Sequence, residues 1–292
     1  MLCSLCPRNC RAERGAETGA GFCAAGTLPR VARCAPHFWE EPCLSGTRGA
    51  GAVFFTGCQL RCVYCQNGAI SRGGAGKTVT VGRLRAIYGE LIAQGVHNID
   101  LVTPTHFLDA VLASLTPALP VPVVWNSSAY ESVASLQRLE GKVQVYLPDM
   151  KYADPAAAAR YSAAPDYPEV AEAAIREMVR QTGPVRLGSD GLLQSGVIIR
   201  HLILPGNLDN TLRVIEWAAG AFRPGEVLFS LMSQYTPCGD LAAFPELQRR
   251  ISPEEYDAAV SWMELCGLRD GYCQELSSAK EEYTPPFDLT GV

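Results

Sequence analysis

From residue 52 onward, short runs of β-branched and other apolar residues alternate with segments whose apolar positions recur every three or four residues. That alternation is the pattern of strands and helices joined as βα units around a parallel sheet. The runs at residues 52–55, 98–102, 121–125, 143–147, 197–204 and 227–232 are the predicted strands. Between them, Leu84, Ile87, Tyr88 and Leu91, then Val133, Leu136 and Leu139, then Val170, Ala174, Ile175, Met178 and Val179 follow helical spacing. Ser252-Pro253-Glu254-Glu255 reads as a helix start, with Ser as cap, Pro in the first turn and Glu closing a capping box.

Runs such as VPVVW, VQVYL and VIIRHLIL are apolar throughout. They suit strands covered on both faces, as in a wound sheet or a barrel with helices outside. In either architecture ligands gather where the strands end. Polar groups follow all six runs: Thr56-Gly57-Cys58, Thr103-Pro104-Thr105-His106, Asn126-Ser127-Ser128, Pro148-Asp149-Met150-Lys151, Pro205-Gly206-Asn207 and Ser233-Gln234-Tyr235. Residues 1–51 differ, being rich in Gly, Arg and Cys without a strand-length apolar run, and read as a loop-rich extension to a core spanning 52–292.

Composition narrows the function. The chain has 292 residues, is 48% hydrophobic and carries a net charge of −5, which describes a globular protein without the basic footprint of a nucleic-acid or anionic-membrane binder. No run approaches the roughly 20 apolar residues of a membrane span, and the first residues lack the apolar region of a secretory signal. A cytoplasmic location is expected. Nine of the twelve cysteines fall within the first 65 residues. In a reducing compartment, thiols clustered at short spacings read as metal or iron–sulfur ligands rather than bridges.

Cys58-x3-Cys62-x2-Cys65 follows the first predicted strand directly. Three thiolates on one loop can each hold one iron of a [4Fe–4S] cubane and leave the fourth iron open. A structural zinc ion wants four closed ligands, so this triplet would need a partner from elsewhere. Upstream, Cys3-x2-Cys6-x3-Cys10-x12-Cys23 offers four ligands, and spacing leaves zinc, a second iron–sulfur cluster and free thiols all open. Gly73-Gly74-Ala75-Gly76-Lys77-Thr78 looks like a phosphate loop, but the position needing the first glycine is Ser71, and the stretch reads as a turn.

With Tyr64 just before the last cysteine, the triplet resembles the cluster motif of the radical S-adenosylmethionine superfamily. FFTGCQLRCVYCQN, NIDLVTPTHF, YLPDMKY, RHLILPGN and SLMSQYTP extend the resemblance over most of the chain, toward the PflX-type branch related to pyruvate formate-lyase activating enzymes. The resemblance implies a partial (β/α)6 barrel, S-adenosyl-L-methionine bound at the open iron, and hydrogen abstraction by a 5′-deoxyadenosyl radical. It implies that Tyr64 lies beside the adenine and that Asp149 and Lys151 hold the methionyl part of the cofactor. Asn126 and Ser127 stand where those enzymes carry an acid and a hydroxyl, and Thr103 stands in place of their Gly-Gly-Glu stretch. Arg200 is expected to reach the cofactor carboxylate; strand alternation then turns His201 the other way. His106 and Gln234 are the candidates for further catalytic roles. A flavodoxin or ferredoxin donor and a glycyl-radical protein substrate are the implied partners. The competing class is a non-catalytic iron–sulfur or zinc protein for electron transfer or scaffolding.

Overall fold

The computed structural model describes residues 2–278 and 284–292. Its strands are β1 (Arg30–His37), β2 (Ala50–Phe55), β3 (Lys77–Thr78), β4 (Ile99–Val102), β5 (Val123–Ser127), β6 (Val145–Pro148), β7 (Arg186–Leu187), β8 (Leu193–Leu202), β9 (Leu228–Met232) and β10 (Gly271–Cys273). They form one sheet in the order β10-β9-β8-β6-β5-β4-β2-β1-β3, with β7 beside β8. From β2 to β10 every neighbouring pair along this path is parallel, whereas β1 runs antiparallel to β2 and to β3. This is an α/β fold with a mostly parallel sheet, and each of the six expected strands lies in it.

Helices α1 (Pro42–Ser45), α2 (Gly68–Ser71), α3 (Val81–Ala93), α4 (Leu108–Ser114), α5 (Val133–Gln137), α6 (Pro155–Ser162), α7 (Tyr167–Thr182), α8 (Leu208–Ala221) and α9 (Pro253–Leu265) connect the strands. Leu84, Ile87, Tyr88 and Leu91 are the buried stripe of α3, whose cap Thr80 accepts a hydrogen bond from Arg83 N. The capping box at the start of α9 forms as the sequence reads, Ser252 and Glu255 each satisfying the other's backbone N–H.

Residues alternate between two faces along each strand. Val53, Phe55, Ile99, Leu101, Val123, Trp125, Tyr146, Val197, Ile199, Phe229 and Leu231 face the helices and form the main core. Each such fully buried large side chain contributes roughly 1.5–3 kcal/mol. On the opposite face, Val124, Val145, Leu147 and Ile198 meet Cys43 and Leu44 of α1, and Ala52, Phe54 and Val102 meet Ala32 and Ile70. Toward the strand ends this second face turns polar and lines a cavity.

Residues 1–51 are not loop throughout. They contain β1, an eight-residue strand paired with β2 from Val31↔Phe55 to His37↔Ala50 with a register shift between Val31 and Arg33, and helix α1. The sequence RVARCAPH carries no long apolar run because one side of β1 is only half-buried, and its pairing with β2 supplies what apolar content does not. Since His37 lies opposite Ala50 and Asn98 Nδ2 donates to Leu44 O at 2.9 Å, α1 sits where the parallel strands begin. Among the described residues no helix is long and apolar enough to cross a membrane.

Candidate active site

The loop leaving β2 carries Cys58, Cys62 and Cys65 to one end of a cavity of about 290 Å³. Each sulfur accepts a hydrogen bond: Cys58 from Leu60 N at 3.3 Å, Cys62 from the Ser162 hydroxyl at 2.9 Å, and Cys65 from the Ser71 hydroxyl at 3.4 Å. Thiolates and cluster sulfurs want such donors. Burial pushes the Cys58 thiol up to about 12, with Cys62 adding to the shift, and raises Cys62 against the pull of Lys151. Bound iron reverses that preference, because a coordinated thiol is deprotonated. Among the described residues no three His, Cys, Asp or Glu side chains converge as one mononuclear ion requires. A cubane asks something else, giving each of three thiolates its own iron, and the donor set on this loop fits it.

The remaining wall comes from strand ends. Tyr64, Thr103, Asn126, Ser127, Asp149, Lys151, Arg200 and Gln234 all line the same cavity. Lys151 Nζ donates to Asp149 Oδ2 at 2.8 Å. Arg200 spreads its fork over three partners: Nε to Asp149 Oδ1 at 2.8 Å, one terminal nitrogen to Glu40 Oε2 at 2.9 Å and the other to Asn126 Oδ1 at 2.7 Å. Burial alone would raise Asp149, but Arg200 and then Lys151 outweigh it and hold the carboxyl below its ordinary range. Burial likewise pulls Lys151 down, and Asp149 together with the nearby thiols brings it above its ordinary value, so it stays an ammonium.

Thr103 has a backbone φ of 59°, which for a β-branched residue stores roughly 1–3 kcal/mol of strain. Its N–H donates to Asn126 O at 2.8 Å, which helps hold that conformation at the cavity wall. Tyr64 is nearly buried; its hydroxyl bonds Tyr152 at 2.8 Å, and its ring meets Tyr161 and Tyr235 edge-on. Ser127 Oγ accepts from Ala129 N at 3.2 Å, and Gln234 Oε1 accepts from Gln274 at 3.2 Å.

Other expected residues lie elsewhere. His201 turns to the helix side, its ring bonded to Met150 O at 2.7 Å and to Thr211 Oγ1 at 3.0 Å. His106 stands behind the cysteine loop, Nε2 donating to Thr56 O at 2.8 Å, so it braces the turn into Cys58 and does not line the cavity. Cys3, Cys6 and Cys23 are half-buried and Cys10 is exposed, in a segment held by Cys3 N to Ala12 O and Arg11 N to Cys3 O. Burial pushes the Cys6 thiol up to about 12, and Cys23 and Cys3 lie near enough to add to it. Arg8 ties this segment to the cysteine loop, donating to Gln59 O and Ser162 O, each at 2.9 Å.

Sequence reasoning missed Glu40, Glu41, Asp100 and Ser230. Glu40 and Glu41 lie in the connection between β1 and α1, Glu41 at the cap of α1, and no periodicity announces them. Asp100 is fully buried on β4 between Ile99 and Leu101, and its Oδ2 accepts from Asn126 Nδ2 at 3.3 Å. A carboxylate inside an otherwise apolar strand run was the available signal for it. Burial first, then Glu40, raises Asp100 well above its ordinary value, and burial likewise raises Glu40.

No family model matches the chain. It is 28% identical over 276 residues to an uncharacterised protein of Methanocaldococcus jannaschii (MJ0674), covering 91% of this chain and 75% of that protein. Its fold is shared with SuiB of Streptococcus suis. The crystal structure of SuiB bound to S-adenosylmethionine matches with a TM-score of 0.51 and 10% identity over 77% of this chain, and that bound to the precursor peptide SuiA with 0.52 and 10% over 77%. The chain spans about half the length of SuiB, 50% and 48% in the two structures.

Proposed function

We propose that this protein is a radical S-adenosylmethionine enzyme whose curved sheet forms a partial (β/α)6 barrel around the cavity. The observation that carries the reading is the meeting, in one cavity, of three hydrogen-bonded thiols with a zwitterion-binding pair, Asp149 and Lys151. Sharing a fold with an S-adenosylmethionine-bound protein supports it. When bound on Cys58, Cys62 and Cys65, a [4Fe–4S] cluster supplies the electron that splits the cofactor sulfonium into methionine and a 5′-deoxyadenosyl radical.

The chain's residues then have definite tasks. Lys151 offers an ammonium to the cofactor carboxylate, and Asp149, pinned by Arg200, accepts from the cofactor amino group. Asn126, Ser127 and Thr103 fix the orientation of the bound molecule, Tyr64 lines the adenine end, and Gln234 faces the substrate. Apolar walls at Phe54, Val102, Leu202 and Met232 exclude water from a reactive radical. A glycyl-radical protein as substrate, a flavodoxin or ferredoxin as donor and a second metal centre on Cys3, Cys6, Cys10 and Cys23 are the finer parts of the proposal.

Anaerobically reconstituted protein with dithionite is expected to release 5′-deoxyadenosine, and a Cys62→Ala variant none. Undiminished product from the variant rejects the reading. An intact cluster that binds no S-adenosylmethionine by calorimetry replaces it with an electron-transfer or scaffold role.

A further inference from the structure

The cavity has two chemically unlike ends. The cysteines and the strand-end residues form one; at the other, the turn between β1 and α1 brings in Glu40 and Glu41. Most of the charges there are matched. Asp149 is shared by Arg200 and Lys151, Glu40 is paired with Arg200 at 2.9 Å, and Asp100 Oδ2 accepts from Asn126 Nδ2 at 3.3 Å.

Two carboxyls keep a buried oxygen without a donor, Asp100 Oδ1 and Glu41 Oε2, and of the two Glu41 is the one that lines the cavity. Glu41 is 8% exposed. Among the described residues no Lys, Arg or His lies within ion-pair distance of it; Arg200 is the cation that acts on it, from farther off, with its fork committed to Asp149, Glu40 and Asn126. The Ser230 hydroxyl is its polar neighbour across the cavity floor. A buried carboxylate oxygen without a donor is costly, and the cost is removed when a ligand brings a charged donor.

We infer that Glu41, with Ser230 beside it, anchors a subsite for a cationic nitrogen, an ammonium or guanidinium group carried by the substrate. The inference rests on the radical S-adenosylmethionine reading for the other end of the cavity. The cofactor's own amino group belongs to that other end, where Asp149 and Lys151 stand. A linear, cation-tipped substrate that reaches Glu41 leaves its carbon chain between the floor and the cofactor.

The test uses wild-type reconstituted protein saturated with S-adenosylhomocysteine and titrates n-butylammonium, n-butylguanidinium, neutral 1-pentanol and anionic pentanoate by saturation-transfer NMR. At least one cation is expected to bind tenfold or more tighter than pentanol and pentanoate, and Glu41→Gln, at equal iron content, is expected to erase that preference. Equal binding of pentanol overturns the inference and makes Glu41 a neutral carboxylic acid. Displacement of the cation by S-adenosylhomocysteine overturns it by assigning Glu41 to the cofactor, and so does a preference unchanged in Glu41→Gln. The wild-type comparison stands even if the variant fails to fold. Ala-Lys-Ala and Ala-Arg-Ala distinguish the source: tighter binding of either peptide than of the free cation supports a protein side chain as substrate, and the reverse supports a small amine. Cation preference without 5′-deoxyadenosine production rejects the reaction and keeps the subsite; production without preference does the opposite.

Discussion

Arg200 on β8 and Asp149, just beyond β6, are joined by Nε to Oδ1 at 2.8 Å, and this pair holds together the polar half of the cavity. Asp149 is gripped from its other oxygen by Lys151, while Arg200 also holds Glu40 and Asn126. These groups are mostly buried at the cavity wall, with side-chain exposures of 9–20% for the charged ones, so removing one partner strands the others.

Arg200→Ala is therefore expected to lower stability by about 2–4 kcal/mol, somewhat less than the cost of breaking a fully buried ion pair because Arg200 and Asp149 keep some contact with the cavity. Arg200→Lys retains the charge without the three-way fork and falls between the two. Urea denaturation checks both; an alanine variant within 1 kcal/mol of wild type would show that Asp149 and Glu40 find other partners.

As pH drops from about 6.5 toward 4 the buried histidines are expected to subtract stability, against an opposite contribution from Asp100, Glu40, Glu41 and Glu131, which burial raises. Burial lowers His37, His106 and His201 each to about 4. The unfolded chain therefore takes up protons in that window that the folded protein refuses, and each histidine contributes a slope approaching about 1.4 kcal/mol per pH unit. Chemical denaturation at a series of pH values gives the slope. His201→Gln is expected to reduce it by about one proton, and an unchanged slope would show that His201 is charged in the fold.

Lys151→Met is expected to weaken S-adenosylmethionine binding about 10- to 100-fold, equivalent to the roughly 1.5–3 kcal/mol of a hydrogen bond to a charged group. Calorimetry on reconstituted protein with normal iron content reads this directly. Unaltered affinity would place the cofactor carboxylate elsewhere.

Ser162→Ala is expected to make the reconstituted cluster harder to reduce. The Ser162 hydroxyl donates to Cys62 Sγ at 2.9 Å and is itself bonded to Tyr152, which bonds Tyr64. A donor to a cluster ligand stabilises the extra electron, so its removal moves the midpoint potential to a more negative value. A redox titration followed by electron paramagnetic resonance would expose an unmoved potential.

The strands and the cysteine loop were legible because their signals are local. Apolar runs record burial on both faces, and the spacing 58, 62, 65 is a property of one loop. Period-two alternation also separated Arg200 from His201, since adjacent strand residues must face opposite ways. Strand β1 was not legible, because RVARCAPH is half-exposed and owes its conformation to pairing with β2. His106 could not be told from a catalytic histidine until the fold set its ring against Thr56 O.

By itself, then, the sequence determined a mostly parallel α/β chain with polar residues at its strand ends and a thiol triplet after the first of the predicted strands, because periodicity and short spacings are fixed along the chain. Only the tertiary structure decided that Asn126, Asp149, Lys151 and Arg200 share one cavity with those thiols, and that the turn between β1 and α1 sets Glu40 and Glu41 into its floor. Glu41 is 159 residues from Arg200 in the sequence, and nothing local encodes that approach. The order of the sheet and the seating of α1 create it, and with it a carboxyl that no described Lys, Arg or His approaches to ion-pair distance.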